Sequence, residues 1–102
     1  MYGTESNVPI NITQGNTAEF VVEFLDASGN LGTITGGTIV ISYTSASTLS
    51  LTSQTIVLVP NGNFFTGSWD SSVAAPGLAP WNVFITGSST AVKSDIVRVI
   101  DP

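Results

Sequence analysis

The chain has no cysteine and no histidine among its 102 residues. Without cysteine there is neither a disulfide framework nor a thiolate metal site. Without histidine the commonest general base and the commonest metal ligand are both missing. Positive charge is almost as scarce, since Lys93 and Arg98 are the only basic side chains. Two cations cannot build the basic patch that binding to nucleic-acid phosphates or anionic membranes requires. Charged residues of both signs make up 9% of the chain, and the net charge is −5. No apolar run approaches the roughly 20 residues of a membrane-spanning helix. The opening MYGTESNVPINIT has neither a basic n-region nor an apolar h-region, so it does not read as a signal peptide. If Met1 is the native start, this predicts a protein left in the cytosol or assembled there into something larger.

What is present is a series of short apolar runs separated by turn residues. Phe20, Val22 and Phe24 alternate with Glu19, Val21, Glu23 and Leu25. A period of two with acids on one side predicts a half-buried strand over 17–25. Ile39, Ile41 and Tyr43 share one face of a strand over 38–44. Residues 49–59 supply one or two short strands, and Pro60-Asn61-Gly62-Asn63 reads as a tight hairpin turn. Further strands are expected over 8–13, 64–69, 81–86 and 92–100. Pro9 places the first of these at an edge or makes it begin late. Residues 70–80, DSSVAAPGLAP, form the longest break. Asp70 or Ser71 can cap one helical turn there, and Pro76-Gly77 stops it. Residues 1–7 read as an arm. These signals predict one all-β domain over 8–102, an antiparallel β-sandwich of seven to eight strands, with an antiparallel barrel as the alternative.

Candidate chemistry is thin. Serines and threonines abound, but no histidine can activate them. A Ser–Lys pair would need Lys93 and Ser94, which point to opposite faces of a strand. Asp70 or Asp26 would need a second carboxylate in a cleft. Asp26, Ser28 and Asn30 alternate like the start of a calcium loop, without its closing glutamate. An ordinary turn accounts for them as well. No cofactor is expected and the chain reads as a non-enzyme. Trp69, Trp81, Tyr43 and Phe84 either fill the core or form a sugar-stacking platform. Trp81 is expected nearer a rim than Trp69 because it follows Pro80. Glu19 and Glu23 either face solvent or pair with Lys93 or Arg98 of a neighbouring strand or subunit. Few lysines guard the strand edges, which favours packing within an assembly or addition of a partner strand.

The order of these pieces resembles a known family. A strand ends in Trp69-Asp70, a corner follows with Ala75-Pro76-Gly77, then an aromatic-led strand Trp81-Asn82-Val83-Phe84-Ile85, and a last strand carries Val97-Arg98-Val99. Upstream, the strand at 17–25 leads through Asp26-Ala27-Ser28-Gly29-Asn30 and Thr35-Gly36-Gly37 to a second apolar strand. Over roughly residues 10–101 this resembles immunoglobulin-like β-sandwich domains. More narrowly it resembles small structural modules of tailed-phage virions, including the N-terminal modules of baseplate upper proteins. The chain departs from antibody-type domains in lacking their cysteine pair, and from many phage modules in its low charge. The resemblance implies a virion protein without catalytic residues, assembled in the host cytoplasm. Its partners would be other virion proteins and copies of itself, and not nucleic acid or membrane. Tyr2, Asp26, Asn30, Asp70, Trp81 and Arg98 are the candidate contact residues. The alternative partner is a cell-surface glycan.

Overall fold

A computed structural model describes residues 3–6, 11–25, 36–62, 64–87 and 90–102. Tyr2, Asp26 and Asn30, and the part of the expected 8–13 strand that holds Pro9, lie outside the described residues. The described residues form nine strands: β1 (Gly3–Ser6), β2 (Asn11–Thr13), β3 (Thr17–Leu25), β4 (Gly37–Thr44), β5 (Leu51–Val57), β6 (Val59–Asn61), β7 (Phe64–Asp70), β8 (Gly77–Ile85) and β9 (Ala91–Ile100). They form two sheets, one in the order β1-β3-β7-β6 and the other β2-β9-β8-β4-β5. The pairs are antiparallel except β2 with β9, which run parallel.

The alternation read from the sequence sets which side chains meet between the layers. Phe20, Val22 and Phe24 of β3 are buried, as are Ile39, Ile41 and Tyr43 of β4, Trp69 of β7, Trp81 and Val83 of β8, and Val97 and Val99 of β9. Phe20 meets Trp81 edge-on, with ring centroids 5.5 Å apart at 74°. Phe24 meets Phe65 the same way at 5.3 Å and 71°. Burial of each large apolar side chain contributes roughly 1.5–3 kcal/mol, so this layer supplies most of the drive to fold. Two glycines let the layers close. A Cβ on Gly37 would lie 2.8 Å from the Phe24 ring and 2.9 Å from the Phe84 carbonyl oxygen. A Cβ on Gly67 would lie 2.8 Å from Ile56 Cγ2.

Four expectations change. Gly3–Ser6, expected within an arm, pair in register with Val22–Leu25 as an edge strand. The break at 70–80 is shorter than expected, because β8 begins at Gly77 and includes Pro80. Proline is tolerated there because β4 pairs β8 only from Trp81 onward, so the first part of β8 has β9 alone beside it. The 49–59 run divides at Leu58, where the chain leaves one sheet for the other. Leu58 is buried, and its N–H donates to the Gly37 carbonyl at 2.9 Å. Pro60 and Asn61, expected in a turn, belong to β6, and Gly62 turns the chain with φ at +63°. These differences bring the strand count among the described residues to nine, where seven to eight were expected.

Candidate functional site

The expected corner at Asp70 is a single 3-10 turn over Ser71–Val73, capped by Asp70. The Ser72 N–H donates to Asp70 Oδ1 at 3.0 Å. That backbone bond, with a smaller contribution from the Ser72 hydroxyl, lowers the Asp70 pKa from its ordinary value. Ser71 is the turn's anchor. It is fully buried, and its hydroxyl donates to the Asn16 carbonyl at 2.6 Å while accepting the Gly15 N–H at 3.0 Å. Gln14 Nε2 adds a bond to the Ala74 carbonyl at 2.6 Å. The corner is thus tied to the β2–β3 turn, and its polar groups are used in holding the fold together.

The tryptophans do not form a platform. Trp69 is 1% exposed and Trp81 2%, so both belong to the core. The two are nearly equally buried, so the expectation that Trp81 lies nearer a rim than Trp69 is not met. Trp81 lies against Phe20 between the sheets, and its Nε1 has no hydrogen-bond partner among the described residues. The Trp69 indole, though buried, bonds to a side chain of an exposed strand. Its Nε1 donates to Gln54 Oε1 at 3.1 Å, and Gln54 belongs to the exposed strand β5. The Tyr43 hydroxyl donates to the same oxygen at 3.4 Å. Trp81 is therefore withdrawn as a surface contact.

Arg98 is exposed on the outer face of its sheet, beside Leu78 in register. Glu19 and Glu23 lie on the outer face of the other sheet, because Phe20, Val22 and Phe24 take the inner one. The two layers stand between them, so the pair proposed between Arg98 and these glutamates within one chain does not form. A shallow concavity of about 410 Å³ is lined by Pro80, Trp81, Asn82, Ser94, Asp95 and Ile96. Its polar groups are engaged with one another or with backbone: Ser94 Oγ donates to Asn82 Oδ1, and Asp95 Oδ1 accepts the Ile96 N–H at 2.8 Å. Among the described residues no cluster of acidic side chains has the arrangement of a metal site.

The feature that sequence reading missed is β5. Every residue of this strand except Ile56 is exposed. Among the described residues it stands at the end of its sheet and pairs only with β4. Leu51 is 78% exposed and Val57 70%. The chain carries no charged residue between Asp26 and Asp70, so the whole β4–β5–β6 side of the sandwich is uncharged. The signal was present in LTSQTIV, which holds neither charge nor proline. Periodicity alone does not say which strand ends a sheet.

No family model matches the chain, and no curated protein matches it. Among solved structures, the crystal structure of the Lin-41 filamin domain superposes with a TM-score of 0.66 at 14% identity, covering 97% of this chain and 91% of that one. The chain has an immunoglobulin-like fold. The CARDB domain of the PF1109 protein from Pyrococcus furiosus matches at 20% identity with a TM-score of 0.47, covering 100% of this chain and 94% of that one.

Proposed function

We propose that this chain is a protein-interaction module of a phage or phage-like virion, acting through surface contact with other virion proteins and with copies of itself. The observation that carries this reading is β5, a seven-residue sheet edge that is exposed at every residue but Ile56 and free of charge. Sheet edges of this kind add strands from partners. The virion assignment is supported by the order of strands and corners over residues 10–101, which resembles that of tailed-phage structural modules. The fold and the low charge suit a subunit whose surface is covered in an assembly. No observation favours the glycan reading, since both tryptophans of the expected platform are buried. The test is binding of the labelled chain to particles assembled without it, and to the separated proteins of such particles. Saturable binding to the particle or to one virion protein is expected. Absence of binding to every virion component overturns the proposal.

A further inference from the structure

We infer that β5 pairs with β5 of a second copy of this chain, antiparallel about a two-fold axis at Gln54, joining the two five-stranded sheets into one. This rests on the reading of the chain as an interaction module and names the surface and the partner.

Comparison of the sheet edges selects β5. The first sheet ends in β1 and β6, the second in β2 and β5. Strand β6 has three residues and includes Pro60, which cannot donate to a ladder. Strand β1 has four residues and includes a charged one, Glu5. Strand β2 has three residues. Beyond it, β9 carries Lys93 and Asp95 and a break in register beside Val83, devices that discourage edge pairing. Only β5 is long and regular and carries neither a charge nor a proline.

The sequence of β5 favours itself as the occupant. With Gln54 on the axis, Leu51 faces Val57 of the second copy, Thr52 faces Ile56, and Ser53 faces Thr55. Each pair has matching parity, so each falls on one face of the joined sheet. On the outer face the two exposed apolar ends, Leu51 and Val57, meet twice, one pair at each end of the strand. Side chains directly opposite across two strands interact in addition to the backbone bonds. Leu49, exposed just before the strand, lies in the turn that leads into it. Leu49 holds a φ of +56°, a conformation that glycine or asparagine adopts with less strain.

Electrostatics points the same way. Each copy carries a net charge of −5, so two copies repel unless they meet where charge is absent. The β4–β5–β6 side is that place, and the acids of β3 lie in the other sheet. An isologous contact also closes on itself, which fits a discrete dimer.

The experiment is sedimentation velocity of the full chain over a range of concentrations, with two charge variants. In the self-paired register residue 53 faces residue 55 of the other copy. Ser53→Lys with Thr55→Lys sets lysine against lysine twice, and is expected to weaken the dimer by about tenfold or more. Ser53→Lys with Thr55→Glu sets lysine against glutamate twice, and is expected to keep it. Oxidation of Gln54→Cys is expected to give a covalent dimer, and Asn61→Cys is expected not to. This readout stands if a lysine variant fails to fold. A wild-type chain that remains monomeric overturns the inference. So does a Lys/Lys variant that folds and dimerises like the wild type, or a Gln54→Cys chain that links no faster than Asn61→Cys. A monomeric chain that still binds particles overturns the self-pairing alone. A dimer that binds no virion component overturns the proposed function alone.

Discussion

Two tryptophans with nearly equal burial have different polar fates. Trp69 donates its indole N–H to Gln54, whereas Trp81 buries an indole N–H without a partner among the described residues. Replacing either by phenylalanine removes a similar volume from the core. Only Trp69→Phe also removes a hydrogen bond, leaving Gln54 Oε1 without its closer donor. Chemical denaturation is expected to show Trp69→Phe the more destabilising by about 1 kcal/mol. Equal losses would mean that the Gln54 bond contributes nothing. The alternation of Phe20, Val22 and Phe24, and of Ile39, Ile41 and Tyr43, was legible in the chain because strand geometry alone sends alternate residues to opposite faces. The position of Trp81 was not, because the effect of Pro80 depends on which strands flank it.

At the scale of elements, the contact between β7 and the β5–β6 crossing depends on the absence of a side chain at residue 67. Gly67→Ala places a methyl 2.8 Å from Ile56 Cγ2 and 3.1 Å from Leu58 Cδ2. A loss of about 1–3 kcal/mol is expected from overpacking. Ile56→Ala in the same chain should relieve part of it, so that the double variant is more stable than the sum of the single losses implies. Strict additivity would show that the clash is relaxed elsewhere. The Asp70 turn makes a prediction in pH. The carboxyl is lowered in the folded chain from an ordinary value of 3.8 by the Ser72 bonds. A lowered folded value stabilises above the unfolded value, and the contribution fades as pH falls through the folded one. The difference in Tm between wild type and Asp70→Asn should therefore be constant at neutral pH and shrink in acid below about pH 4. A difference independent of pH would remove the carboxylate from the cap. The turn itself was readable from Asp70 and Pro76-Gly77, since capping is local. Its attachment through Ser71 to the Asn16 carbonyl was not, because those residues are far apart in sequence.

At the scale of the whole molecule, charge is distributed unevenly. The acids of β3 and the charges of β9 lie away from an uncharged side built from β4, β5 and β6. A dimer formed there has a thermodynamic signature apart from its mass. Binding of folded copies raises Tm with protein concentration by mass action, and the Lys/Lys variant should show no such rise. The lone Arg98 and the paired Glu19 and Glu23, on opposite outer faces, leave the two broad faces of the sandwich electrically unlike.

The sequence by itself determined the class of fold, the inner faces of β3 and β4, and the corner at Asp70. These follow from period-two alternation and from local backbone chemistry, which act over a few residues. Only the tertiary structure decided that residues 3–6 pair with β3, that the chain changes sheets at Leu58, and that β5 is left as an open edge. Each of these depends on which strands come to lie side by side. That choice is made by packing between residues distant in the chain, and no local pattern carries it.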